Sequence, residues 1–575
     1  MKHFQIIVVL LLALLSSCDL TLLPEDKISP DIFFSSAQEL ELWTNQFYTI
    51  MDGADAAASQ SADDNVSRSM GAVISGTRSA ADESGWTWTR LRAINYCLQN
   101  MDHCTDNAAK TRYTAVCYFF RAYFYFQKVQ RYGNVPWYDQ VLKSTDDLLL
   151  YKVRDDRGFV MDKVMEDLDN AVALFSSLPP EKSISRVTKW TALAFKSRAA
   201  LYEGTFRKYH GLPDADKYLT QAANAAADFI DNSGYTLYSD GAEPYRDLFC
   251  SNDAQSGEVV LARLYNFTDL NISHSVQFNI SNNQQGFTRR YMNHYLMKDG
   301  TRFTDKNGYE TMTYPEETAD RDPRMAQTVL CPGYIQKGNA EVSPNTLLAM
   351  TGYQPIKFVA DASQGGSSKG YVDWPLFRTA EVYLNYAEAK AELGDITPND
   401  LEKSVNRIRA RAKMPKLEIE AANATIDPFL LACYPHIDKS NEANRGLILE
   451  IRRERTVEMV MEGQRQWDMF RWHEGAQLVN KTNKYFGCYI PAPGLYDMSG
   501  DGTPDVEIYE TNPTSNLPVK KKIGSDIFLS NGASGYITAW PSVEYTWDET
   551  RDYLWPLPSS EIILSNNILT QNPKW

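Results

Sequence analysis

The chain has 575 residues, 43% apolar and 12% aromatic, which is enough to bury a large core and too apolar for a disordered polypeptide. A formal charge of −15 argues against a nucleic-acid partner, because phosphate neutralisation needs clustered Lys and Arg, and the one basic run, Lys520–Lys522, reads as a solvated loop. Beyond Cys18, seven cysteines remain, an odd number with no CxxC pair and no His-rich spacing, so neither a disulfide scaffold nor a zinc centre is indicated.

Lys2, the apolar run Phe4–Leu15 and the sequence Leu15-Ser16-Ser17-Cys18 stand in the order of a lipoprotein signal. The run of twelve residues is too short to cross a bilayer, which takes about 20 as a helix. Residues 1–17 are therefore expected to be a signal peptide, Cys18 the lipidated first residue, and 18–28 a tether to a body spanning 29–575.

A first helix is predicted over 36–51, then a small-residue, polar loop over 52–85 that ends in Trp86-Thr87-Trp88. Helical patterns follow at 88–104, 108–131, 156–176, 187–208 and 214–232, separated by turns carrying Gly or Pro. Aromatics on nearly every face of the second predict burial between neighbours, and Ala192, Ala194 and Ala199 suit close helix crossings. Paired helices of this kind suggest degenerate tetratricopeptide-like stacking, without an exact 34-residue repeat. Residues 233–375 form a loop-rich insertion with β-like runs at 258–263 and 354–359, after which helices return at 377–394, 399–413, 443–461 and 464–478. The proline-rich remainder is expected to be extended and irregular. The fold class is mostly α: a helical-hairpin layer over roughly 36–232 and 376–478, with an irregular, ligand-facing lobe containing short strands over roughly 52–88, 233–375 and 479–575.

The densest stretch is Glu450–Trp472. Leu447, Ile451, Glu454, Glu458 and Met461 share one helix face, which puts two carboxylates in an apolar stripe, and Gly463 marks a break before a second helix. Arg452, Arg453, Arg455, Arg465 and Arg471 are near enough in sequence to pair with them. A structural clamp of Glu454, Glu458, Arg465, Trp467, Asp468, Arg471 and Trp472 is expected. Reading Glu458 and Glu462 as the acid pair of a glycoside hydrolase is disfavoured, since surrounding arginines would keep both ionised. Asp497, Ser499, Asp501, the Thr503 carbonyl and Asp505 follow the first part of an EF-hand-type calcium loop, with Gly502 at the turn, although Ile508 stands where a bidentate glutamate belongs. A structural calcium ion is the expected occupant. Gly366-Ser367-Ser368-Lys369-Gly370 matches GxSxG without the strand and helix that a nucleophile elbow needs.

The lipobox cysteine, the run Arg453–Trp472, the helix opening Arg378-Thr-Ala-Glu-Val-Tyr-Leu-Asn-Tyr-Ala-Glu-Ala, the run Arg407-Ile-Arg-Ala-Arg-Ala, Arg321-Asp-Pro-Arg, Asp299-Gly300 and the closing Pro556-Leu-Pro and Gln571-Asn-Pro together resemble the SusD/RagB family of Bacteroidetes outer-membrane lipoproteins. Thr456 and Gln466 depart from the usual pattern. The resemblance implies a non-catalytic, lipid-anchored protein of the outer membrane, facing the exterior, that binds oligosaccharide or polysaccharide and serves a SusC-like TonB-dependent transporter. It also implies a helical layer against the transporter and a ligand site in the lobe, with Trp86 and Trp88 where binding aromatics stand in the family. One of the pair is expected to face the ligand while the other packs. Tyr309, Tyr314 and Tyr353 are further candidates, because aromatic faces stack on sugar rings. A surface glycoside hydrolase and an envelope scaffold without ligand are the competing readings.

Overall fold

The computed structural model describes residues 33–479, 485–542 and 544–575; the signal segment, Cys18 and the tether lie outside the described residues. Ser36 caps α1 (Ala37–Asn45) with a reciprocal Glu39 bond, at the start expected from sequence, and the remainder of that expected helix is a 3₁₀ stretch, Gln46–Ile50. The following helices are α2 (Thr89–Asn100), α3 (Asn107–Tyr132), α4 (Arg157–Ser176), α5 (Lys189–His210) and α6 (Ala215–Asn232). Asp106 and Asp156 accept backbone N–H bonds at the starts of α3 and α4. Neighbours in sequence pack as pairs, α3 on α4 and α5 on α6. Gly204 of α5 sits so close to Leu219 of α6 that a Cβ would meet its side chain at 2.8 Å and its backbone nitrogen at 2.9 Å, so this crossing requires glycine. The aromatic run of α3 is buried as expected, with Phe119, Phe126 and Tyr123 against Phe195 of α5.

The lobe is built from short pieces: β1 (Asn65–Val66) pairs with β3 (Gly286–Phe287), and β2 (Val259–Arg263) with β4 (Trp374–Arg378), all antiparallel. Residues 354–359, expected as a strand, contribute only an isolated bridge from Pro355 to Val329. Between β3 and β4 lies α7 (Arg289–Met292); after β4 come α8 (Thr379–Leu393), α9 (Val405–Arg411), α10 (Pro428–Cys433), α11 (Arg445–Glu458) and α12 (Arg465–Arg471). The helix expected over 399–413 is interrupted before α9. The one expected over 443–461 stops at Glu458, because Met461 and Gly463 turn into the left-handed region at φ 62° and 75°. The C-terminal part holds β5 (Phe486–Ile490), β6 (Gly494–Tyr496), β7 (Val506–Tyr509), β8 (Lys520–Lys522) and β9 (Gly535–Thr538), in one two-stranded and one three-stranded sheet. The tail is not wholly extended. Pro556 and Pro558 precede a short helix, α13 (Ser559–Leu564), an order that leaves its backbone hydrogen bonds intact.

Glu454 and Glu458 are buried, as the apolar stripe predicted, but their partners are not the neighbouring arginines. Glu454 takes Arg324 at 2.5 Å and Arg409 at 3.0 Å. Glu458 takes Arg378 at 2.7 Å, Arg324 at 3.1 Å and Arg411. Arg378 also holds Glu462 and Glu258, Arg411 holds Glu258, Lys357 holds Glu462, and Arg324 holds Asp322. Five carboxylates thus face five cations along the seam where the lobe (258, 322–324, 357) meets α8, α9 and α11. Burial alone would push Glu458 up, yet Arg411, Arg378 and Arg324 hold it well below the usual carboxylate range.

The local arginines serve other acids. Arg453 binds Glu450 and Asp427, Arg455 binds Asp468 at 2.8 Å, and Arg465 binds Asp63 at 2.7 Å. Arg471 reaches Glu388, which also accepts from the Trp472 indole N–H at 2.7 Å. Trp467 packs beside Trp555 of the tail, ring centroids 5.5 Å apart. Removing one member of a buried ion set strands the others, so Glu458→Ala is expected to lower unfolding free energy by about 3–5 kcal/mol in urea denaturation. Lys416→Ala, which breaks a solvent-exposed pair with Glu402, should change it by less than about 0.5 kcal/mol.

Candidate functional site

Sugar recognition requires ring faces that solvent can reach, beside fixed polar groups. Such a set occurs in the lobe, in a cleft of about 260 Å³ between α7, α10, β5, β9 and the turn Tyr309–Thr311. Its aromatic wall is Tyr309, Phe429, Phe486 and Tyr536, all partly exposed. Phe486 and Tyr536 meet across the antiparallel β5–β9 pair with centroids 5.0 Å apart and planes inclined by 37°. The Arg289 guanidinium lies 4.7 Å from the Tyr536 ring centre and is fixed by Glu317 at 2.8 Å, the Tyr353 hydroxyl at 3.2 Å and the Tyr309 carbonyl at 2.7 Å. Beside it Arg290 donates to Gln477 at 3.0 Å. Asn293 also lines the cleft, and its buried Oδ1 has no hydrogen-bond partner among the described residues. The cleft therefore combines aromatic faces, two anchored guanidinia and one unsatisfied acceptor.

Of the tyrosines named from sequence, Tyr309 alone lies in this cleft. Tyr314 and Tyr353 are 1% and 0% exposed, with hydroxyls spent on the Leu330 carbonyl and on Glu317, so they are corrected from ligand contacts to core. Tyr353 still matters indirectly, since it helps to hold Arg289. Trp86 and Trp88 lie outside this cleft. Residues two apart on extended backbone share a side, so both rings go the same way. They meet each other at 5.2 Å, and Tyr132, Phe124 and Tyr138 close in at 4.9, 5.6 and 5.8 Å; Trp86 is buried in the main core, while Trp88 is half-buried against it, and both line a larger, separate cleft of about 570 Å³. The signal that sequence reading missed is Phe429, Phe486 and Tyr536, three single aromatics in separate elements.

The 497–505 loop joins the antiparallel strands β6 and β7. Asp497 accepts from the Gly500 and Gly502 N–H groups at 2.6 and 2.8 Å, Asp505 from those of Met498 and Ser499 at 2.7 and 2.6 Å, and Asp501 from that of Thr503 at 2.7 Å. Ser499 donates its hydroxyl to Asp505. These oxygens close the loop on its own backbone, and no group of three or more His, Cys, Asp or Glu converges as a metal centre among the described residues. The feature is a hairpin turn that its own carboxylates close.

A model of the SusD family matches residues 268–575, more than half of the chain, and a second, described as starch-binding associating with outer membrane, matches residues 37–201. The chain belongs to the SusD family. Two SusD-like proteins of Formosa agariphila are each 23% identical to it, one over 65% of this chain and 69% of its own length, the other over 100% of both. A crystal structure of a SusD-like protein from Bacteroides fragilis matches with a TM-score of 0.69 at 22% identity, over 96% of this chain and 100% of that one. A SusD-like carbohydrate-binding protein from the same species gives 0.67 at 21% identity, over 93% and 99%. In this SusD-family chain no helix of the described residues is long and apolar enough to cross a membrane.

Behind the SusD-family cleft, Asp63 binds Arg290 and Arg465, which hold it below the usual carboxylate range despite burial. Burial and the adjacent Asp63 charge push Asp64 up. A raised folded pKa means stability present at low pH and lost as pH climbs from about 4 through the folded value. Asp64→Asn should therefore raise Tm at pH 8, by the equivalent of about 1–2 kcal/mol, with the gain vanishing below pH ~4; a pH series of melting curves checks it. For the hairpin turn, Asp497→Ala should cost about 1 kcal/mol through lost N–H partners, and a Tm that falls with excess chelator and not in that variant would assign the turn the calcium ion expected from its sequence.

Proposed function

We propose that this SusD-family chain captures an oligosaccharide in the Tyr309–Phe429–Phe486–Tyr536 cleft and delivers it to a TonB-dependent outer-membrane transporter, acting without catalysis. The observation that carries the reading is the cleft itself, where reachable ring faces stand next to anchored arginines and an unsatisfied amide oxygen. A pyranose offers an apolar C–H face for the rings and hydroxyls for the polar groups beside them. The starch-binding description of the family and the likeness to a SusD-like carbohydrate-binding protein of Bacteroides fragilis support carbohydrate as the ligand class. Attachment through Cys18, outward orientation and the transporter partnership belong to the same proposal and rest on the lipobox and on the family. The hydrolase reading has no comparable support: Glu458 and Glu462 are held by Arg378, Arg411 and Lys357 inside the seam, and burial pushes the Cys433 thiol at the cleft up to about 11.

The test is affinity electrophoresis of the purified chain against a panel of polysaccharides, α-glucans first, followed by calorimetry on the oligosaccharide retained. Tyr309→Ala and Tyr536→Ala are each expected to weaken binding about ten-fold, one to two kcal/mol per lost ring face, with Tm nearly unchanged. Trp86→Phe should leave affinity intact. Retention of no glycan, or binding unaffected by both tyrosine substitutions, would overturn the assignment.

A further inference from the structure

On the helical side a separate cleft of about 650 Å³ opens between the start of α2, α3, α5 and the corner after Gly463, with Asp52, Thr87 and Thr89 exposed at its mouth. It shares no lining residue with the aromatic cleft. Four cations line it, Arg90, Lys128, Arg131 and Arg198, against Asp52 as the sole lining carboxylate. Arg131 and Arg198 are bound to Glu83 and Glu381. Arg90 and Lys128 have neutral partners: Arg90 donates to the Gln46 side-chain oxygen at 2.8 Å, and Lys128 to the Gly85 carbonyl.

Lys128 is the unusual member. It is 8% exposed, makes no ion pair among the described residues, and sits 5.0–5.9 Å from the ring centres of Phe124, Trp88 and Tyr132. An ammonium withdrawn from water needs a countercharge or compensating hydrogen bonds, and one carbonyl uses one of its three donors. One helical turn away, Arg131 has a buried Nε with no hydrogen-bond partner. Lys128, with spare donors, and the partly exposed Arg131 side chain therefore line one solvent-connected cavity in a chain whose overall charge is −15. The burial that leaves Lys128 unpaired, with Arg131 beside it, also lowers its pKa to about 7, and an anion in the cleft would restore its charge.

We propose that this cleft is an anion site, in which a carboxylate or sulfate group, free or carried on an acidic sugar, seats against Lys128 and Arg131. The walls suit such a ligand: Phe124 and Trp467 supply apolar surface beside the charged groups, as a uronic acid or sulfated sugar requires. The inference stands independently of the neutral-sugar reading of the aromatic cleft.

The experiment is a thermal-shift titration of the purified chain at low salt with millimolar sodium sulfate, sodium glucuronate and glucose, each against sodium chloride of equal ionic strength. A rise in Tm of several degrees with sulfate alone identifies a site for a free inorganic ion. A rise with sulfate and glucuronate, and none with glucose, identifies an acidic-sugar site. In either case Lys128→Met should remove the shift, and Arg131→Gln, on a more exposed side chain, should reduce it several-fold while glycan affinity at Tyr309 and Tyr536 is preserved. No shift with either anion, or an undiminished shift in both variants, would overturn the proposal.

Discussion

Burial of charge at the seam is the constraint on which the rest depends. The side chains of Glu258, Asp322, Glu454, Glu458 and Glu462 lie in a dry layer, each held there by one or more of Arg324, Lys357, Arg378, Arg409 and Arg411. Desolvation makes such a set a poor source of net stability compared with apolar packing. Its contribution is directional: each guanidinium accepts few geometries, so the lobe can dock on α8, α9 and α11 in one register only. Arg378 shows how this works. As the last residue of β4 and the cap position of α8, it links a strand of the lobe to a helix of the layer while binding three carboxylates.

That docking positions the aromatic cleft. The aromatic wall draws on β5, β9, α10 and the Tyr309 turn, none of which is long enough to be rigid alone. Their order comes from anchors behind them: Arg289 on Glu317 and Tyr353, Arg290 on Asp63, and Asp63 in turn on Arg465 of α12. A chain of charge-assisted bonds thus runs from the corner after Gly463 to the floor of the cleft. The same corner borders the cationic cleft through Gln464 and Trp467. One helical break therefore supports two surfaces of different chemistry.

Much of the helical layer was legible because periodicity and caps are local signals: both ends of α3 through α6 fall within two residues of the spans that the sequence predicts. The burial of Glu454 and Glu458 was legible for the same reason, from their place in an apolar stripe. Their partners were not, since sequence proximity favoured Arg452 and Arg455 over Arg324 and Arg409, and pairing at long separation leaves no periodic trace. Arg452 ended instead in a box of Tyr209, Tyr434 and Trp472 rings, 3.8 Å from Glu392. Residue type marked Tyr309, Tyr314 and Tyr353 alike, yet only tertiary packing separates a ring face open to solvent from one closed in the core. The alternating oxygens of 497–505 were legible, but not that the hairpin would turn them toward its own amides.

The connectivity of the seam has a kinetic consequence. Arg324 and Glu458 are 134 residues apart, Arg378 and Glu258 are 120 apart, and Arg465 and Asp63 are 402 apart. The insertion between α6 and α8 must be in place before either group of charges is neutralised, and the last helices must close on a loop near the start. Contacts of such span are reached late, after large losses of chain entropy. A half-assembled molecule would carry unpaired carboxylates and guanidinia at surfaces that remain wet, which disfavours premature closure. The charged seam thereby acts as a proofreading step in folding: water leaves it only when both halves arrive correctly matched.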